Sequence, residues 1–480
     1  MDRPNNYVYF CVGCAALNSV ILGYDIGVAG GAMFIAQEVF TLSNLETEII
    51  LASLNLAAIP GAILARPVSD NLGRTKTLGL ASSLFLLGSI IMSLSNSFWL
   101  LLFGRIITGV GVGTGLSIDP LYIAEISPAK YRGFLVSWSE GGINIGILLG
   151  FIVTYLFAKL EPDISWRLMF AFGGILPLVM LVLATFCMPE TPRWLSKVGR
   201  IDQAQEVLLK ICNTPVDAEQ TMIEIVAGLT RRKEVSFRKL IWHDDRTIRF
   251  MVITVLSVAV AQQFSGVEAF MYYSPFLFQQ VGFETKGEIL GLTAMMGFSK
   301  TVTVFLVAGL LDTNGVGRRR LLLWSYVGMA ISLFLLSYGA YESLRGLVVC
   351  SIFSYVVLFS VGAGPITWLF AAEILPTSTR ASGMVLATTC NRLAGAAIGL
   401  TFLSVSSASA GGALLFFAIL CTLFAVFCYY YCPETQGKTL ENMYAVFSPK
   451  DEQGRSPNSL PLSQQGVNIN ATQVELREVA

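Results

Sequence analysis

The sequence predicts an all-α membrane protein of twelve transmembrane helices in two six-helix halves, and three observations predict it. The first is composition: 54% of the 480 residues are hydrophobic and 13% are charged, with a mean hydropathy of +0.65, whereas soluble chains carry about 25% charged residues. The second is length. Apolar runs of about 20 residues, enough for a helix to cross roughly 30 Å of hydrocarbon, recur from Tyr7 to Tyr431. The third is an internal repeat, because three polar signatures appear twice in the same order with a shift of roughly 245 residues.

The runs fall at approximately 7–33, 48–69, 77–96, 98–121, 134–158, 167–188, 249–280, 287–311, 319–339, 346–372, 381–405 and 411–431. The first is long, carries Asp25 and lacks a small-residue cleavage site, so it is expected to persist as a helix and not to be removed as a signal. Most of the nine cysteines lie in or beside the apolar runs, and Cys11 and Cys14 read as small buried residues. Net charge is zero, which gives no reason to expect a nucleic-acid partner. No metal-ligand cluster or nucleophile constellation is visible, so neither a cofactor nor an enzyme is expected.

A cytosolic N-terminus puts Arg74, Lys76, Lys130, Arg132, the long central loop and Arg318 to Arg320 on one face, as the positive-inside rule requires. The expected division is an N-terminal half over 1–189, a cytosolic loop with short helices over 190–247, a C-terminal half over 248–432 and a cytosolic tail over 433–480. Gln203 to Lys210 reads as helical, and a headgroup-facing surface is expected for the loop. The tail is rich in Ser, Gln and Asn and is expected to be disordered.

The repeated signatures sit between or at the ends of spans. Asp70 with Gly73 and Arg74 matches Asp312 with Arg318 and Arg319. Glu125 with Arg132 matches Glu373 with Arg380, and Glu190, followed by Arg193, matches Glu434. Such charges at cytosolic helix ends can clamp the inner faces of the two halves together and break when those faces part, which makes them gating elements.

These residues resemble the sugar porter family of the major facilitator superfamily over essentially the whole chain from Gly23 to Leu440. The likeness rests on Gly23-Tyr24-Asp25-Ile26-Gly27, Gly104-Arg105, Pro189 to Trp194, Gln262-Gln263-Phe264-Ser265-Gly266 with Tyr272-Tyr273-Ser274, Gly364 to Trp368, and Pro433 to Leu440. Gly23 to Gly27, Ser127 to Phe134 and Asn391-Arg392 look most like plant polyol and monosaccharide proton symporters. The resemblance implies the major facilitator fold and a monomer in a lipid bilayer, with the plasma membrane as address. It also implies movement of a sugar or polyol together with a proton by alternating access. Two departures stand out: Arg66-Pro67 and Thr75 in the first cytosolic motif, and Glu268 where the family carries Asn.

An ionisable group at mid-bilayer costs at least about 2.5–3.5 kcal/mol, so each one retained is a functional candidate. Counting about 1.5 Å per residue, Asp25 and Arg105 lie at matching depths, and by resemblance they are the proton-coupling pair. Glu140, Gln262, Gln263, Glu268, Lys300, Trp368 and Asn391 form the expected substrate cavity, five of them bracketing the midplane. Amides and carboxylates can bond several hydroxyls, and an indole can pack on a sugar's apolar face. By resemblance, Gln262, Gln263, Trp368 and Asn391 match sugar-contacting positions, and Glu140 stands where many members carry Gln. Cost suggests that Glu268 and Lys300 pair across the cavity. Asp119 reads as a helix-end residue near the headgroups, and Gly362 to Pro365 should break the tenth span. A facilitative uniporter and a non-transporting nutrient sensor on the same fold are the alternatives.

Overall fold

The structure, a computed structural model, describes residues 4–128, 131–230, 240, 245–311, 317–436, 443 and 446–447. Among them are twelve helices long and apolar enough to cross a membrane. The first six are Asn6–Phe40, Asn44–Leu72, Arg74–Ser93, Phe98–Ile126, Arg132–Phe157 and Pro162–Cys187. The second six are Arg246–Gln280, Lys286–Val307, Arg318–Tyr341, Arg345–Ile374, Ser382–Ala408 and Ala410–Tyr431. These are called the first to the twelfth span.

Local chemistry sets their ends. Ser43 and Glu46 form a reciprocal capping box at the start of the second span. Asn5, Ser97, Asp245 and Ser409 cap the first, fourth, seventh and twelfth through side-chain oxygens that accept from backbone N–H groups. Several spans are interrupted, the sixth at Gly173-Gly174 and the eleventh between Gly399 and Phe402 among them, and two of the breaks bear on the site. The seventh stops at Phe264 and resumes at Val267, with Gly266 between them at a φ of 98° that a side chain would strain. The tenth stops at Val361 and restarts at Pro365, the break expected from Gly362 to Pro365.

Burial separates central helices from peripheral ones. The most apolar stretch of the first span is 94% buried inside the protein, against 39% for the sixth and the twelfth, which present their remaining surface outward. The first span packs on the fifth, and the second and third pack on the fourth. Between the halves, the fifth meets the eighth, the second meets the eleventh, and the first meets the Val267–Gln280 piece of the seventh.

Between Cys187 and Arg246 lie the short helices Pro192–Lys197, Ile201–Ile211 and Pro215–Thr230. Ile201–Ile211 covers the stretch expected to be helical, and it buries Ala204, Val207, Leu208 and Ile211, the one-face spacing of an amphipathic helix. The Asn5 side chain donates to the Lys210 carbonyl at 3.0 Å and ties this helix to the first span. The face of the molecule that carries these helices is called the loop side below. The Arg231 to Lys233 run, His243 and the tail beyond Phe447 lie outside the described residues.

Candidate functional site

The deepest charges meet inside the N-terminal half. Arg105 is fully buried and Asp25 nearly so, and Arg105 Nη1 donates to both carboxylate oxygens at 2.8 and 2.7 Å. Arg105 Nε donates at 3.4 Å to the Ile50 carbonyl of the second span, and Nη2 is buried with no hydrogen-bond partner. Tyr272 belongs to the C-terminal half and is buried. Its backbone packs against Gly30. The pair is therefore enclosed within one half, and the other half packs on the same first span at Gly30.

A polar network occupies the middle of the C-terminal half. Gln262 Nε2 donates to the Ala363 and Gly364 carbonyls at 3.0 and 2.9 Å, so the break in the tenth span supplies acceptors at membrane depth. Asn391 Nδ2 donates to Gln262 Oε1 at 3.0 Å and to the Ala259 carbonyl at 2.8 Å. Asn391 Oδ1 accepts from Gln263 Nε2 at 3.0 Å and from Arg392 Nη2 at 2.7 Å. Trp368 lies half-buried on Pro365–Ile374, directly after the break.

Two cationic arms of the C-terminal half reach amides of the N-terminal half. Lys300 Nζ donates to Asn144 Oδ1 at 2.5 Å, and Arg392 Nη1 donates to Asn55 Oδ1 at 3.2 Å. Each arm has an acid nearby: Glu140 feels the Lys300 charge, and Glu268 lies 3.8 Å from Arg392. Gln263 Oε1, Asn55 Nδ2 and Arg392 Nε are buried without hydrogen-bond partners. Buried polar groups are normally satisfied, so this cluster retains capacity for added hydroxyls.

At the loop side the two halves repeat one arrangement. Glu190 Oε1 accepts from the Arg74 backbone N–H at 2.9 Å, and Glu434 Oε1 accepts from that of Arg318 at 2.8 Å. A Cβ at Gly73 or Gly317 would press on the approaching carboxylate, and Gly73 also sits at a φ of 100° that favours glycine. Arg74 pairs with Glu125 at 3.0 Å and with Asp70 at 3.3 Å, while Arg318 lies 3.5 Å from Glu373. Thr191 and Thr435 hydroxyls donate to Glu125 and Glu373 at 2.7 and 2.5 Å. In this conformation these bonds fall inside each half, not between halves. Bridges between the halves include Lys286 with Glu38 at 2.6 Å, Asn44 with Ser407 at 2.8 Å and the buried Glu48, which accepts from the Ser404 N–H and hydroxyl at 2.7 and 2.6 Å.

A family model described as sugar (and other) transporter matches residues 11–447. The chain belongs to that family. Polyol transporter 5 of Arabidopsis thaliana is 37% identical over 472 residues, covering 93% of this chain and 87% of the relative. The inward open conformation of the xylose transporter XylE from E. coli superposes with a TM-score of 0.79 at 28% identity, covering 92% of this chain and all of XylE. The proton:xylose symporter XylE bound to 6-bromo-6-deoxy-D-glucose superposes at 0.76 with 29% identity, covering 92% and 99%. The protein is thus a multi-pass membrane protein with the major facilitator fold.

Within this transporter, several sequence expectations change. Glu268 and Lys300 do not pair: Glu268 faces Arg392 of the eleventh span, and Lys300 crosses to Asn144 of the fifth. The break at Gly266 turns Glu268 toward Gly395, while the eighth span delivers Lys300 against the fifth. Asp119, expected near the end of its span, is fully buried between spans. Arg380 donates to the Leu375 carbonyl at 3.2 and 3.1 Å and reaches no carboxylate in those bonds. Arg132 Nε is buried without a partner, Arg193 lies on Pro192–Lys197, and Asp312 lies outside the described residues. Arg319 bonds the Tyr429 carbonyl and lies 5.5 Å from that ring. Thr75 fills the place of a second basic residue by donating to Glu190 Oε2 at 2.9 Å. Sequence reasoning missed Arg392, Asn55, Asn144 and Glu48. The signal for Arg392 was available, since it is an intramembrane arginine beside a chosen asparagine.

Proposed function

We propose that this chain is a secondary active transporter that moves a polyol or sugar together with a proton by alternating access. The observation that carries the reading is the buried Asp25–Arg105 pair on a span that the opposite half packs against, together with the network of Gln262, Gln263 and Asn391. A carboxylate that must separate from its arginine to take a proton can do so only when the packing around the pair loosens, and the contact of Tyr272 with Gly30 makes the opposite half part of that packing, which links protonation to the rocking of the halves. The polyol transporter relative and the proton:xylose symporter neighbour support the substrate class and the coupling.

In this reading Gln262, Gln263, Trp368, Asn391, Glu140, Glu268 and Lys300 line the substrate path. The division is an N-terminal half over 1–189, a loop over 190–247, a C-terminal half over 248–432 and a tail over 433–480. The loop side faces the cytosol, both termini are cytosolic, and a monomer works in the plasma membrane. The loop-side clusters around Arg74 and Arg318 act as gates: each stiffens the end of its own half and meets the other half in the outward-facing state.

The test is uptake of labelled polyols and sugars into proteoliposomes, with and without an inward proton gradient, for wild type and Asp25→Asn. Accumulation against a substrate gradient that needs both protons and Asp25 supports symport. Equilibration indifferent to both makes the protein a uniporter, and no movement of any substrate favours a sensor.

A further inference from the structure

The fourth span carries a buried carboxylate that the transport reading does not use. Asp119 lies 14 residues from Arg105, about 21 Å along the helix and close to four whole turns, so both residues occupy one flank. That flank faces the first span at both ends: Arg105 holds Asp25, and Asp119 accepts a hydrogen bond from the Ser19 hydroxyl. The Ser139 hydroxyl of the fifth span donates to Asp119 Oδ1 at 3.2 Å. Asp119 is fully buried at this three-helix junction.

Among the described residues, Asp119 forms no ion pair, and its hydrogen bonds are with Ser19 and Ser139. The first span offers Ser19, with Asn18 against Gly115 and the buried thiols Cys11 and Cys14 farther along. On its own span, Tyr122 donates to the Pro189 carbonyl and Glu125 is engaged by Arg74. The fifth span also carries Glu140, next to Ser139, an acid and not a cation. The hydroxyls of Ser19 and Ser139 are uncharged, so neither neutralises a carboxylate here. An ionised carboxylate so placed lacks the partner that burial demands, whereas a neutral acid fits, because serine hydroxyls rotate to accept as readily as they donate.

We propose that Asp119 is a second proton-binding site, held as the neutral acid at the junction of the first, fourth and fifth spans. Its carboxyl O–H bond breaks and the proton passes to water when the loop side of that junction is hydrated. Ser19 lies six residues from Asp25, about 9 Å along the first span, so the two carboxyls stand in series. Only this use in series rests on the proton-coupled reading; the bound proton itself does not.

The experiment is an infrared pH titration of the purified full-length protein in lipid, following the stretching band of protonated carboxyl groups. Wild type and Asp25→Asn should both show a band at neutral pH that Asp119→Asn loses and Asp119→Glu retains. Ser19→Ala, which removes one hydroxyl partner, should shift that band. An Asp119→Asn spectrum identical to wild type overturns the proposal; if that variant does not fold, a band unmoved in Ser19→Ala overturns it equally. Failure of proton-coupled uptake in wild type would instead sink the transport reading and leave the band where it is.

Discussion

Asp25 and Arg105 belong to one half, touch at 2.7 Å and are almost wholly buried. Glu140, Glu268, Lys300 and Arg392 are spread over four spans, and two of them bond amides of the opposite half. The first arrangement concentrates opposite charges until each satisfies most of the other's demand. The second leaves charge balanced only in aggregate, with partnerless amide and guanidinium atoms at its centre. A closed pair suits an ion that must be held away from water, and an open network suits a ligand that brings its own hydroxyls. The comparison also separates what rides with one half from what is shared at the seam.

Breaking the closed pair should have the largest effect. Arg105→Ala leaves a buried carboxylate uncompensated, a loss of about 3–5 kcal/mol, read as a lowered unfolding temperature in detergent together with lost uptake. Asp25→Asn removes the charge with little change of shape, and it should abolish gradient-driven accumulation while substrate exchange persists in counterflow. If Asp25→Asn still concentrates substrate, the buried pair is structural only.

Within the network, Gln263→Ala or Asn391→Ala should raise KM by roughly 3- to 10-fold, the value of about one hydrogen bond, with folding retained. A double-mutant cycle sharpens the comparison further. Glu268→Gln with Arg392→Met should couple by about 0.5–3 kcal/mol, as residues in contact do, whereas Glu268→Gln with Lys300→Met should come closer to additivity. Strong coupling of the second pair alone would restore the pairing expected from sequence. The smallest effect is at the seam, where Glu48→Gln weakens the bonds to Ser404. A population shift of about 1 kcal/mol should appear as greater labelling of a cysteine placed in the face opposite the loop side.

Much of the fold was legible because membrane burial writes itself into composition. Twelve apolar runs gave twelve helices, and Gly362 to Pro365 marked a real break. The Asp25–Arg105 contact was legible as well, since two intramembrane charges at equal depth have few other solutions. The partner of Glu268 was not. Depth along a span follows from counting residues, but azimuth around a helix depends on breaks such as the one at Gly266, which rotates everything after it. Asp119 shows the same limit, because a position near a span's end did not reveal that the first and fifth spans fold over it.

The sequence by itself determined the class of solvent, the number and order of spans, the two-fold internal repeat and the intramembrane charges that need a partner. These are properties of residue transfer free energy and spacing along one chain, and they survive without knowledge of any contact. The tertiary structure alone decided which charges meet. It kept the bonds around Arg74 and Arg318 inside their own halves, gave Arg392 to Glu268 and sent Lys300 to Asn144. Pairing energies fall off within a few ångströms, so they depend on helix rotation and crossing, which no pattern along the chain specifies.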